Sequence, residues 1–503
     1  MSRRALPGLV LCMVIGCGSS SSSDAASTDA GPTRSEAGAD DAGAADDALD
    51  APADDAPAPA DPTWDALLAF ARTEIVKNAA PGVSIAIVRD GKLVHSAGVG
   101  VKRAGGAEPL DGRSLFRVGS ITKMVVAATA MSLVEEGKLD LDAPVTRYVP
   151  FFKRATGFDP STVLLRHAMS HQSGVPDEGP VKCEVGEKAF ESWFGTLHAN
   201  DALWSPPGAV WDYSNPGFAL TAAAIEGVTK QRFESAVASR VFAKANMTTA
   251  TMDPATAMAV DHTTGHTPKG PGTYAFSEID GYDCEILRAA GGVIASVEDY
   301  AHLAEQFLAD GGAVLTPASM TAMESQVDTH EFPGQRYGFG LFTGPDWRGL
   351  RVVEHNGLVP GFTTWFTMVP DRRFAVIVFS NLDAYQPESI VRKAMELYLA
   401  APITPPPTWT TPSSTWTKYL GTYVDPYGMI GTIKITVDVT GTMWADSTVL
   451  PAKVPMAQIA DDFFVIHAGK TELPATFYLD AAGSGQWLVT RAGVGKRDPT
   501  KGP

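Results

Sequence analysis

Across residues 121–136 the chain carries Met124, Val125, Val126, Ala127, Ala130, Met131, Leu133 and Val134, so a helix drawn through it has almost no polar stripe. Such a helix offers no face to water and has to be wrapped by other elements at the centre of a large core. Gly137 supplies its stop. A chain of 503 residues, 45% hydrophobic and 19% charged, has the apolar surface for that core and the length for more than one domain.

The surrounding elements can be read on both sides of this helix. Trp64, Leu67, Leu68, Ala71 and Ile75 recur at helical spacing. Residues 83–88 and 93–99 flank Asp90-Gly91, a pair suited to a tight turn because both positions take positive φ. Further helices are predicted at 164–170, 218–228, 233–245, 297–309 and 389–400. Residues 337–342, 350–354, 363–369 and 374–380 read as strands joined by short turns, hence as an antiparallel meander. A hairpin at the start, a meander at the end and helices between them predict an α+β domain over residues 63–401, with one antiparallel sheet and a helical subdomain. Residues 402–415, rich in Pro and Thr, read as a linker. Residues 416–503 alternate apolar and polar positions around Gly and Asp turns and read as a small all-β, barrel-like domain.

At the N-terminus, Arg3 and Arg4 precede an apolar run too short to span a bilayer, the pattern of an export signal over residues 1–17. Val14-Ile15-Gly16-Cys17 resembles a bacterial lipobox, which implies lipidation of Cys17 and a membrane anchor in the bacterial cell envelope. Residues 18–62 are nearly all Ser, Ala, Asp, Gly and Pro and read as a disordered tether. The tether also accounts for the charge. Of the formal net −17, −10 lies within residues 18–62 and +2 on Arg3 and Arg4, which leaves −9 for residues 63–503. No basic stripe remains to meet phosphates, so nucleic acid is excluded as a partner. With Cys12 inside the signal, Cys183 and Cys284 are the cysteines of the folded region, and an oxidising compartment allows them either to pair or to stay as buried thiols.

Three short motifs carry chemistry. Ser120-Ile121-Thr122-Lys123 opens the buried helix and places serine and lysine on one face. A serine hydroxyl is a poor nucleophile until a base takes its proton, and a lysine among apolar neighbours can share that work. The plain alternative is an N-cap serine followed by a solvated lysine. Tyr213-Ser214-Asn215 follows Pro206-Pro207-Gly208 in a loop just before a helix. A tyrosine hydroxyl near a lysine can act as general base, and an asparagine amide can hold a substrate carbonyl; a core tyrosine with a capping asparagine is the alternative. His355-Asn356-Gly357 ends a predicted strand, with His355 read as a substrate contact. There Gly357 would let substrate approach the backbone, and the N–H of Leu358 would serve as an oxyanion donor opposite that of Ser120, unless the segment is only a strand-to-loop turn.

In this order and context the motifs resemble the serine β-lactamase and penicillin-binding protein superfamily, especially class C β-lactamases and their esterase and D-peptidase relatives. The resemblance covers about residues 64–400 and extends to Leu139-Asp140-Leu141-Asp142-Ala143-Pro144-Val145, to Leu165-Arg166-His167-Ala168-Met169-Ser170-His171-Gln172-Ser173-Gly174-Val175 and to Ala290-Gly291-Gly292. It implies a β-lactamase/transpeptidase-like fold with Ser120 as nucleophile, Lys123 as its partner, Tyr213 as general base and Asn215 as a substrate contact, followed by a domain similar to lipocalin-like barrels. One departure stands out: class C enzymes carry lysine at the first position of the third motif, and here that position is His355. A histidine is mostly neutral above pH about 6.5, so the cation that meets a substrate carboxylate is missing and the substrate class stays open.

Other chemistries fit less well. No Gly-x-Ser-x-Gly elbow occurs. No His-Glu-x-x-His helix occurs either, and His167 and His171 read as structural hydrogen-bonding residues, so neither a metal nor a cofactor is expected. The sequence thus predicts an exported serine hydrolase that cleaves an ester, amide or lactam carbonyl in a small-molecule or peptide substrate. Its rival is a non-hydrolytic envelope protein that binds peptidoglycan-type peptides in the same cleft.

Overall fold

The computed structural model describes residues 61–502, apart from 154–156, 178–183, 280–282, 346–348, 401–412, 426–429 and a few shorter gaps. The expected signal, Cys17, nearly all of the tether, Cys183 and most of the 402–415 linker lie outside the described residues. No described helix is long and apolar enough to cross a membrane.

Helix α1 (Pro62–Lys77) begins at Asp61, whose carboxylate accepts from the N–H groups of Thr63 and Trp64 at 2.9 and 3.3 Å, with Pro62 filling the first helical position. The same carboxylate holds His95 Nε2 at 2.8 Å and so ties the helix to the edge of the sheet. Strands β1 (Gly82–Arg89) and β2 (Lys92–Gly100) meet in the expected turn, with Asp90 at φ 54° and Gly91 at φ 76°.

The helices that frame the middle of the domain are α2 (Thr122–Glu135), α3 (Leu165–Met169), α4 (Asn215–Thr229), α5 (Glu285–Gly291) and α6 (Val297–Phe307), and α7 (Glu388–Leu399) closes it. Every residue of α2 from Thr122 to Leu133 is buried, and the helix packs against α4 and α5. This is the wrapped central helix that its all-round apolar surface requires.

The meander comprises β3 (Val327–Asp328), β4 (Arg336–Tyr337), β5 (Phe342–Pro345), β6 (Arg351–Val359), β7 (Phe362–Val369) and β8 (Phe374–Ser380). The sheet runs β2-β1-β8-β7-β6-β5-β4-β3 and is antiparallel throughout. Pairing of β1 with β8, from Val83 opposite Ser380 to Val88 opposite Ala375, joins the two ends of the domain. Because side chains alternate, Ile85, Ile87, Val376 and Val378 face α1 and α7, while Ala86, Ala375, Ile377 and Phe379 enter the core around α2.

Three elements differ from expectation. Residues 337–342 form the end of β4, a return and the start of β5 instead of one strand. An ideal Cβ on Gly338 would lie 1.8 Å from the Met323 carbonyl oxygen, and Gly340 has φ +76°, so the chain folds back closely where only glycine fits. The helix expected at 233–245 is an α-turn, Phe233–Val237, followed by a π-turn, Ala238–Phe242. The strand expected to stop at Glu354 continues as β6 through the whole third motif to Val359.

Beyond the gap, Ser413–Tyr419 is a 3₁₀ helix that leads into eight antiparallel strands, from β9 (Gly421–Val424) to β14 (Thr471–Leu479), β15 (Gly485–Thr490) and β16 (Gly493–Arg497). They close into a barrel, with Tyr423 opposite Arg497 and Val424 opposite Lys496. Ile433, Ile435, Met443, Phe464, Phe477 and Leu488 pack together inside it.

Candidate active site

Ser120 sits in a 3₁₀ turn, Gly119–Ile121, at the entrance to α2. Gly119 has φ +59°, and an ideal Cβ there would lie 2.7 Å from the backbone nitrogen of Leu358. Both the conformation and the close approach demand glycine. Ser120 is not the helix N-cap: that position is Ile121, with no side-chain capping bond. Lys123 is fully buried. Its Nζ donates to Ser120 Oγ at 3.1 Å, to Asn215 Oδ1 at 2.7 Å and to the Ala290 carbonyl at 3.0 Å. Three acceptors match the three N–H bonds of an ammonium, and the solvated-lysine alternative falls away. The Ala290 contact gives Ala290-Gly291-Gly292 its place: the end of α5 supplies a lysine partner.

Tyr213 and Asn215 arrive on a loop secured from below by the segment that follows α3. Gly208 N–H donates to Gln172 O and Asp212 N–H to His171 O, both at 2.8 Å, and Ser214 N–H donates to His171 Nδ1 at 3.0 Å. The His171 ring also packs against Tyr213 at a tilt, with centroids 4.2 Å apart. His167 Nδ1 accepts from Leu164 N–H at 3.2 Å, so both histidines hold backbone. Ser214, and not Asn215, caps α4, its hydroxyl accepting from Gly217 N–H at 3.1 Å. The largely buried Tyr213 ring lies with its centroid 4.7 Å from Lys123 Nζ.

Asn215 has a partner that sequence reasoning missed. Asp177 Oδ1 accepts from the Asn215 backbone N–H at 2.9 Å and from its Nδ2 at 3.0 Å, and Asp177 Oδ2 is 3.3 Å from that Nδ2. An ammonium on one side and a carboxylate on the other leave one orientation for the amide, with oxygen toward Lys123 and nitrogen toward Asp177. Thirty-eight residues separate the pair, and no local pattern marks Asp177 as its partner.

The third motif lies on β6. An ideal Cβ on Gly357 would come within 2.0 Å of the Val118 carbonyl oxygen and 3.1 Å of Ser120 N. Glycine is therefore required for the strand to pack on the Ser120 turn, a different reason from admitting substrate. That packing sets the backbone of Leu358 beside that of Ser120, the arrangement two oxyanion donors need. Beyond Glu354, β6 has β7 on one side and no longer pairs with β5 on the other.

His355 departs from its expected role as a substrate contact. It is 1% exposed, its Nδ1 lies 2.7 Å from the Asn356 carbonyl and its Nε2 lies 3.1 Å from Tyr337 Oη. A carbonyl only accepts, so Nδ1 carries the proton, and in the neutral ring Nε2 accepts from the Tyr337 hydroxyl. Packing against Phe342, with centroids 5.0 Å apart, completes its burial. Both nitrogens are thus engaged inside the protein. Elsewhere, Cys284 is disulfide-bonded, and Cys183, which the sequence leaves free to pair with it or not, lies outside the described residues.

The family model for Beta-lactamase matches residues 29–400. Penicillin-binding protein 4 of Amycolatopsis lactamdurans is 25% identical over 340 residues, covering 63% of this chain and 84% of that protein. Protein flp of Staphylococcus aureus is 24% identical over 323 residues, and this chain spans 63% of its length. Among solved structures, SurE with D-Leu is 24% identical with a TM-score of 0.69, covering 87% of this chain and 99% of that one. The matched span takes in the Ser120 turn, the Tyr213 loop and β6, and the chain belongs to the Beta-lactamase family.

Proposed function

We propose that the protein is a serine hydrolase working through an acyl-enzyme. The observation that carries this reading is Lys123 Nζ, buried and 3.1 Å from Ser120 Oγ, at the mouth of α2. Ser120 Oγ attacks the substrate carbonyl and its proton passes to Tyr213, whose ionised form the Lys123 ammonium stabilises. The N–H groups of Ser120 and Leu358 take the oxyanion, the proton returns to the leaving group, and water then cleaves the ester to Ser120.

The substrate is an ester or amide that needs no cation at position 355. Support comes from His355, whose ring nitrogens are engaged by Asn356 and Tyr337 and offer no permanent charge to a β-lactam carboxylate. SurE was solved with D-Leu, which makes D-configured peptides the amides to try first. The test is turnover of p-nitrophenyl butyrate, a D-Ala-D-Ala peptide and nitrocefin, followed by intact mass, with Ser120→Ala as control. Ester or peptide turnover above nitrocefin is expected; a protein that neither turns over a substrate nor labels at Ser120 would be a binding protein instead.

We also infer export and lipid anchoring, on the strength of the run ending at Cys17 and the composition of residues 18–62. Palmitate-analogue labelling is expected in the native chain and absent in Cys17→Ser.

A further inference from the structure

The barrel strands β14 to β16 carry buried side chains on both faces. Phe477 and Leu488 point into the barrel core, while their neighbours Tyr478, Trp487, Val489 and Val494 form a patch on its outside. That patch is covered by Trp204 and Val210, which belong to the loop leading to Tyr213. Within this loop the hydrolase domain satisfies the N–H groups of Gly208, Asp212 and Ser214 through Gln172 and His171. The N–H of Trp211 instead donates to Tyr478 Oη, at 3.0 Å. A buried backbone donor needs such an acceptor, and here the barrel provides it two residues from the catalytic tyrosine.

We propose that the barrel is an intramolecular clamp on the Tyr213 loop, with Tyr478 as a positioning residue for the general base and Trp487 as the apolar anchor beneath it. The proposal rests on the reading of Tyr213 as proton carrier and assigns the C-terminal domain a part in catalysis. Three features support it. The contact falls on the loop itself, between Trp204 and Trp211, and not on a remote face of the domain. Trp211 and Tyr213 both pack on the His171 ring, at centroid distances of 5.9 and 4.2 Å, so displacement of one is felt by the other. Burial, aided by the carboxylates of Asp212, Asp328 and Glu331, pushes the Tyr478 hydroxyl up and keeps it neutral, so it meets the Trp211 amide as an ordinary hydroxyl acceptor.

The test uses the full chain with Tyr478→Phe, which keeps the ring and removes the acceptor, and with Trp487→Ala. Hydrogen exchange over residues 204–213 is expected to quicken in both while α2 stays protected. Acylation of Ser120 by a fluorophosphonate probe is expected to slow by about tenfold in Tyr478→Phe, as a small displacement of a proton carrier does. In a Tyr213→Phe background the same change is expected to add no further loss, because the two residues act as one unit. Unchanged exchange in the loop overturns the clamp. Faster exchange with an unchanged acylation rate, or an equal loss in both backgrounds, reduces the contact to packing and overturns the positioning role. A wild-type chain that does not label at Ser120 argues against the hydrolase reading, while the exchange measurement still decides whether the barrel holds the loop.

Discussion

Lys123 has no contact with water, and the residues that receive its hydrogen bonds decide what Ser120 can do. Asp177 acts one step removed, by keeping the Asn215 amide oxygen turned toward the lysine. Asp177→Ala is therefore expected to lower kcat about tenfold with little change in KM or melting temperature, since the amide is then able to rotate; steady-state kinetics beside thermal melts checks it. His167 gives a second prediction. Burial, reinforced by the charge of Arg166, lowers its pKa from 6.5 to about 4. The unfolded chain then binds a proton that the folded one refuses between these values, so stability falls as pH drops through this window. The loss from this residue is about 1–2 kcal/mol, its partial exposure screening the rest. Urea melts at neutral and acid pH should show a shallower pH dependence for His167→Gln; an identical dependence would refute the assignment.

At the scale of elements, β6 is where sequence and structure part most. Asn356-Gly357 looks like a turn, yet the segment remains paired to β7, Gly357 opposite Thr364 and Leu358 opposite Thr363. The missing side chain serves the contact with Val118, which no pattern within β6 can announce. Gly357→Ala is expected to cut activity by about a hundredfold or more, because the new methyl meets the Val118 carbonyl, which is backbone and cannot swing aside, as well as Thr364 Oγ1. Gly270→Ala is the matched control, with nothing within 4 Å of its ideal Cβ, and should be silent in the same assay. Helix α2 and the hairpin at Asp90-Gly91 were legible because all-round apolarity and turn chemistry are local properties. The return at Gly338 and Gly340 was not, because it depends on Met323 and Lys123 backbone lying against it.

For the whole molecule, the central pairing is between β1 and β8, whose partners such as Val88 and Ala375 lie roughly 300 residues apart. An isolated hairpin of β1 and β2 is marginal in water, so β1 amides should gain protection during refolding together with those of residues 374–380. Pulse-labelled hydrogen exchange tests this, and early protection confined to residues 82–100 would contradict it. The same distance argument divides what each level of description decides. From the sequence alone came the buried helix headed by Ser120 and Lys123, the α+β sheet built from both ends, the Tyr213 and Asn215 motif and the separate β domain, because periodicity, turns and spacing act over a few residues. Tertiary structure alone decided that Asp177 orients Asn215, that His355 is spent on Tyr337 and Asn356, that Gly357 brings Leu358 beside Ser120, and that the barrel rests on the Tyr213 loop. Each of these joins segments distant in the chain, and a contact of that kind leaves no periodic trace in either segment by itself.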